Sequence, residues 1–253
     1  MKKRFAAFVS TVLAAVLCAC SAAPKDVLPN KAAQPTEAPT QQAQTTQAAP
    51  TEQPTPEPDP VQQLLEEMTL EQKVGQLFLV RPDSLDLSQT QDQINDAKAD
   101  GVTKLTDAMR QTLAEYPVGG VVIFGKNLES PQQITQFLDD LQQASDTPLF
   151  TAIDEEGGLV ARLANNAAFD LPQYESAAAV GTSGNPEDAR AMGRTIGGYL
   201  KEYGFNLDFA PVADVNTNPD NPVIGTRAFS SEPQTAADLV GGACAGFADA
   251  GIA

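Results

Sequence analysis

Leu149-Phe150-Thr151-Ala152-Ile153-Asp154-Glu155-Glu156-Gly157-Gly158 is the stretch on which the fold turns. Five residues with no charge, four of them apolar, read as a strand covered on both faces, as in a parallel sheet. Three acids and a glycine pair then end it abruptly. Upstream, Ser130-Pro131 opens a helix as cap and first-turn proline, and Gln133 completes a capping box. The apolar residues Ile134, Phe137, Leu138 and Leu141 of that helix share one stripe. Further upstream lie a strand at Val121-Val122-Ile123-Phe124 and a helix marked by Met109, Leu113 and Tyr116, which Pro117 ends. Before these, Thr69 and Gln72 form a second capping box, whose helix leads into Leu77-Phe78-Leu79-Val80, a buried-strand candidate. A short helix begins at Val61.

Downstream the alternation continues. Asn185-Pro186 caps a helix with Ala189, Met192, Ile196, Tyr199 and Tyr203 facing inward and Gly204 as its stop. Residues 206–212 read as a fourth strand, and residues 235–250 as a last helix stopped by Gly251. Strands alternating with helices imply an α/β fold with right-handed crossovers. Either a doubly wound sheet or a (β/α)8 barrel satisfies the pattern. A barrel typically needs about 250 residues. Residues 61–253 supply roughly half of one.

The first 60 residues read differently. Residues 1–4 are a cationic start and residues 5–19 are apolar or small throughout. That is a signal-peptide core, short of the roughly 20 residues that span a bilayer. The run ends Leu17-Cys18-Ala19-Cys20-Ser21 and resembles a bacterial lipobox, with Cys20 as the lipidated residue. Residues 20–60 have no aromatic residue and are rich in Pro, Gln, Thr and Ala, so a disordered linker is expected. As a coil it would reach about 35 Å. The expected organisation is signal peptide (1–19), anchor and linker (20–60) and domain (61–253), exported and held at the membrane by lipid. Cys244, set among Leu239, Val240, Ala243 and Phe247, reads as a small buried thiol.

Composition excludes several function classes. The 253 residues carry 16 Lys and Arg against 33 Asp and Glu, a net charge of −17, which suits no general nucleic-acid binder. There is no histidine, so no His-based metal site or Ser–His–Asp triad lies within this chain. No cofactor fingerprint appears, and none is expected. Asp214, Asn216, Asn218 and Asp220 follow the alternate spacing of a calcium loop, but Pro219 replaces the required glycine. The segment reads as a loop of Asx turns.

Polar residues at the ends of parallel strands carry the chemistry of such folds. Asp154 stands there, with Arg162 eight residues on, and a carboxylate with a guanidinium can fix sugar hydroxyls by paired acceptor and donor bonds. Glu155 and Glu156 read as acids favoured by a helix N-terminus. Arg227 reads equally as a hydroxyl or anion ligand and as a surface ion pair.

Four motifs in order raise a resemblance. Residues 68–77, the Gly119-Gly120-Val121-Val122-Ile123-Phe124 segment, Ile153-Asp154-Glu155-Glu156-Gly157-Gly158 and residues 206–229 together resemble glycoside hydrolase family 3, in its β-N-acetylhexosaminidase branch. The resemblance implies a (β/α)8 barrel of which about the first four βα units are present. It implies that Asp154, Arg162 and Arg227 bind substrate, with Leu159 replacing a family arginine and Asp214 structural or peripheral. It further implies that the nucleophile and the His–Asp acid/base pair lie beyond residue 253, so that this chain alone is inert and the sheet's fourth strand presents an exposed apolar edge. The implied substrates are terminal β-linked N-acetylglucosamine residues of muropeptides or chitin-type oligosaccharides. The alternative is a lipid-anchored solute- or sugar-binding protein without catalysis.

Overall fold

The structure, a computed structural model, describes residues 59–253. The lipobox with Cys20, the signal peptide and nearly all of the linker fall outside these residues.

Helix α1 (Pro60–Glu67) and helix α2 (Leu70–Gly75) precede strand β1 (Leu79–Val80). Helices α3 (Gln91–Asn95) and α4 (Asp107–Glu115) lead to β2 (Gly120–Ile123), and α5 (Pro131–Gln143) to β3 (Phe150–Ile153). A small hairpin of β4 (Glu155–Gly157) and β5 (Val160–Ala161) follows, then α6 (Ala177–Gly181) and α7 (Pro186–Glu202). Strand β6 (Leu207–Asp208) and α8 (Pro233–Ala250) complete the order. The main sheet has four strands in the order β1-β2-β3-β6, every pair parallel. Register aligns Ile123 with Ile153 and Ile153 with Asp208, so Phe124 and Asp154 stand side by side just past the strand ends. This is an open α/β sheet with the strand–helix order of the first part of a (β/α)8 arrangement.

The periodicity of α5 is realised in full. Ile134, Phe137, Leu138 and Leu141 are all 1% exposed or less and cover Val121, Ile123 and Ile153 of the sheet. Each such side chain contributes about 1.5–3 kcal/mol relative to exposure. Ser130 accepts from the Gln133 amide as expected, but the Gln133 side-chain oxygen accepts from Glu129 N–H rather than closing the box. Its amide nitrogen instead donates to Thr103 and Asn127, tying the helix to the preceding loop. The Thr69–Gln72 box closes as read.

Two strands are shorter than their apolar runs. Leu77 and Phe78 are 79% and 56% exposed, because their amides bond back to Val74 and Gly75 as the end of α2 unwinds. Pairing with β2 starts only at Leu79. The fourth strand closes after Asp208, before Pro211, which has no N–H to donate. Nor is its outer edge bare. Asp208 N–H donates to Ala253 and Ala253 N–H to Asn206, at 2.9 and 3.0 Å. The exposed apolar edge lies instead at β1, where Leu70, Val74 and Phe78 flank a groove of about 550 Å³. Tyr116, grouped with Met109 and Leu113 in the sequence, departs from those buried residues and is 53% exposed at the end of α4.

Helices α7 and α8 pack at backbone distance. A Cβ on Gly246 would sit 2.1 Å from the Arg190 carbonyl oxygen, and one on Gly193 would sit 2.3 Å from that of Ala243. Arg190 and Arg194 both bind Asp249 across the pair. Cys244 faces solvent on α8, contrary to the buried reading, because it follows the inward Ala243 by 100° of helix. Among the described residues no helix is long and apolar enough to cross a membrane.

Gly246→Val should lower stability by at least about 1–3 kcal/mol, since backbone must move to admit the side chain. Gly198→Ala, on the open face of α7, should raise it by about 0.5–1 kcal/mol. Urea unfolding followed by circular dichroism checks both; equal midpoints for the two variants would contradict the close packing.

Candidate functional site

Strand β3 delivers Asp154 to the rim of the sheet, and the hairpin after it returns Arg162 to the same place. Gly157 and Gly158 have φ of 82° and 66°, the left-handed region that allows so tight a reversal. Arg162 Nη2 then donates to Asp154 Oδ2 at 3.2 Å, with both side chains about one-third exposed. A partly exposed carboxylate–guanidinium pair retains unspent acceptors and donors, which suits it to vicinal hydroxyls.

Glu155 fixes that geometry. Its side chain is fully buried and accepts from Leu163 N–H at 2.8 Å, Ala164 N–H at 2.9 Å and the Tyr199 hydroxyl at 2.9 Å. The first two donors lie just past Arg162, and the third comes from α7. Burial pushes the Glu155 carboxyl above its ordinary range, against the opposing pull of those hydrogen bonds. Glu156, 8% exposed, makes a two-pronged pair with Arg227: Nε to Oε2 at 2.8 Å and Nη2 to Oε1 at 2.6 Å. Neither glutamate is a helix N-terminal acid as the sequence reading had it. Residues 155–157 are strand, and both carboxylates are buried with specific partners.

Of the residues singled out from sequence, Asp154, Arg162 and Arg227 converge on the end of β3, Arg227 through Glu156 rather than through Asp154. The Glu156 pair holds the Arg227 guanidinium above its ordinary pKa. Asp214 is exposed in the loop beyond β6.

Sequence reasoning passed over Asp208. It ends β6, is 5% exposed, and accepts from Glu155 N–H through Oδ1 at 3.0 Å, while Oδ2 is buried with no partner. Burial, helped by the neighbouring Glu155, Asp154 and Glu156 carboxyls, pushes its pKa up to about 8. A lone acid between Leu207 and Phe209 in an apolar run was the available signal. Arg81 was passed over too. It follows β1, lies 4.3 Å over the Phe124 ring, and donates to the Ile94 carbonyl. Asp83, fully buried, binds Lys126 at 3.2 Å and Asn127 at 2.9 Å, pinning the segment after β1 to the end of β2. Among the described residues no group of three or more His, Cys, Asp or Glu side chains is placed to hold a metal ion.

With this geometry in hand, comparison with known proteins is specific. The Glycosyl hydrolase family 3 N terminal domain matches residues 69–253. The chain is 36% identical over 143 residues to Beta-hexosaminidase A of Pseudoalteromonas piscicida, covering 54% of this chain and 24% of that protein. It is 33% identical over 156 residues to Beta-hexosaminidase LpqI of Mycobacterium tuberculosis, covering 60% and 38%. Among solved structures, the family 3 β-N-acetylglucosaminidase from Paenibacillus sp. str. FPU-7 aligns with a TM-score of 0.62 at 34% identity, covering 74% of this chain and 32% of that one. The β-N-acetylhexosaminidase from Beutenbergia cavernae aligns with a TM-score of 0.58 at 26% identity, covering 74% and 52%. The chain spans less than half the length of the curated relatives it matches here.

The shifted carboxyls make stability depend on pH. Asp208 keeps its proton to about pH 8 when folded and loses it near 3.8 when unfolded. Between those values the folded state binds the extra proton, so raising the pH destabilises it, by at most about 1.4 kcal/mol per unit. Glu155, shifted in the same direction, adds to the slope. Urea unfolding from pH 5 to pH 8 should therefore show falling stability, and Asp208→Asn should flatten the fall; an unchanged slope in that variant would contradict the assignment.

Proposed function

The chain belongs to glycosyl hydrolase family 3, whose N-terminal domain occupies residues 69–253, and on that premise we propose that it is the sugar-binding part of an exo-acting, retaining β-N-acetylhexosaminidase. Its substrates in this reading are terminal β-linked N-acetylglucosamine residues of cell-wall muropeptides or chitin-type oligosaccharides. The observation that carries the reading is the Asp154–Arg162 pair, one-third exposed at the C-terminal end of β3 and locked from behind by Glu155.

Asp154 accepts from the hydroxyls of the terminal sugar, and Arg162 both aligns that carboxylate and donates to a neighbouring hydroxyl. Arg227, held by Glu156, closes the side of the site towards β6. Retaining hydrolysis requires a nucleophile on one face of the anomeric carbon and an acid/base group on the other, with a covalent glycosyl-enzyme between two displacements. In this proposal the residues described here hold and orient the sugar, and both reacting groups come from outside residues 1–253. The polypeptide is held at the extracytoplasmic face of the membrane by lipid on Cys20, with residues 21–60 as a tether.

Two expected outcomes follow from this reading. Residues 1–253 should bind N-acetylglucosamine oligosaccharides in a calorimetric titration without hydrolysing an aryl N-acetylglucosaminide. Asp154→Ala should weaken that binding by about 10–100-fold, the loss of hydrogen bonds to a charged acceptor. Turnover by this chain, or binding indifferent to Asp154, would refute the reading. Lipid attachment is checked by metabolic labelling with palmitate in a bacterial host: label should enter the protein and disappear in Cys20→Ala.

A further inference from the structure

The parallel ladder between β3 and β6 stops at the rim of the sheet. Its last main-chain rung is Phe209 N–H on the Ile153 carbonyl, at 2.9 Å. The next amide, Glu155 N–H, belongs to the peptide that joins Asp154 to Glu155, and it donates to Asp208 Oδ1 at 3.0 Å. A side chain thus takes the place of a strand rung where the Asp154–Arg162 pair is mounted. The other oxygen of that carboxyl, Oδ2, is buried without a partner.

Neighbouring donors are turned to other acids. Arg162 binds Asp154, Arg227 binds Glu156, and the Tyr199 hydroxyl on α7 donates to Glu155. Among the described residues no cation lies within salt-bridge distance of Asp208. Of the two buried carboxyls, Glu155 has three donors, which suit the ionised form, and Asp208 has one, which suits the neutral form. Burial, and then the Glu155, Asp154 and Glu156 carboxyls, push Asp208 up to about 8. A negative charge on Asp208 would stand in a dry position beside three acids. Water or the Tyr199 hydroxyl would relieve it, and either one opens the contact between β6 and the hairpin.

We propose that Asp208 is a positioning residue: its neutral carboxyl holds the Asp154–Glu155 peptide, and its ionisation loosens the Asp154–Arg162 pair, so that saccharide affinity falls as the pH rises. The inference rests on the saccharide-binding reading above and adds a proton as the regulator of that site. Asp208 touches no sugar in this account; it acts through Glu155 N–H, which sets Asp154 against Arg162. Below about pH 8 the carboxyl is neutral and the pair is held, and above it the carboxyl is charged and the pair is released.

The test is calorimetric titration of the chain with N,N′-diacetylchitobiose from pH 6 to pH 9. Affinity should stay level to pH 7 and fall about tenfold from there to pH 9, with the circular dichroism spectrum unchanged. Asp208→Asn keeps an acceptor for Glu155 N–H and cannot ionise, so it should bind equally at pH 7 and pH 9. Asp208→Ala removes the acceptor too, and should bind more weakly than Asp208→Asn at both. The chain has no histidine, so Cys18, Cys20 and Cys244 are the other side chains that ordinarily titrate in this interval. Serine at all three should keep the tenfold fall. Should neither Asp208 variant fold, the native chain still decides: at pH 8.5, in buffers of differing ionisation enthalpy, it should take up about 0.8 proton per saccharide bound. Level affinity to pH 9, no proton uptake, or a fall that tracks unfolding, survives Asp208→Asn or vanishes with the cysteines overturns the proposal and leaves the saccharide-binding reading standing. Failure to bind the disaccharide at any pH overturns that reading and the proposal with it.

Discussion

The fully buried carboxylate of Glu155 is the constraint on which the rest of the site depends. A carboxyl group removed from water is tolerated only when its lone pairs are filled, and Leu163 N–H, Ala164 N–H and the Tyr199 hydroxyl fill them. These partners come from two places, the turn after β5 and the face of α7, while Glu155 itself follows the end of β3. Meeting them fixes the hairpin over the sheet, and Arg162 is carried to Asp154 as a consequence. Leaving any one donor unpaired in so dry a position costs about 1–3 kcal/mol. The hairpin therefore has one low-energy position, and a rim pair that would otherwise wander is held in place.

Four carboxyl groups crowd the ends of β3 and β6, and the structure accommodates each differently. Asp154 and Glu156 each take an arginine. Glu155 takes neutral donors, and Asp208 keeps its proton at neutral pH because burial and its acidic neighbours disfavour the charge. The Asp208 Oδ1 bond to Glu155 N–H couples the two strand ends directly. The acidity of the site is thus smaller than its composition suggests, and the exposed charge reduces mainly to the Asp154–Arg162 pair with Arg81 beside it.

Much of this architecture was legible in sequence, and the failures share a cause. The α5 stripe, the Thr69 cap and the strand ending at Ile153 depend on local periodicity and capping chemistry, which sequence carries directly. Asp154 and Arg162 were singled out together because strand ends and reversals are also local. Glu156 was misread because its partner Arg227 lies 71 residues away, and Glu155 because its burial depends on a tertiary fold that brings in Tyr199 from 44 residues away. The short reach of β1 and β6 has the same origin, since pairing ends where a neighbour stops rather than where apolar residues do. Cys244 shows the converse: apolar neighbours in sequence do not bury a residue that lies between the inward positions of a helix.

Family 3 membership and the parallel sheet agree with one another. We propose that Asp154 and Arg162, held by buried Glu155, form the sugar-binding rim. A crystal structure of the chain with N-acetylglucosamine bound tests it most directly. The account predicts sugar hydroxyls within hydrogen-bond distance of Asp154 and Arg162, with Glu155 still bound to Leu163, Ala164 and Tyr199. Sugar seated elsewhere, or a hairpin that releases Glu155 when sugar binds, would contradict it.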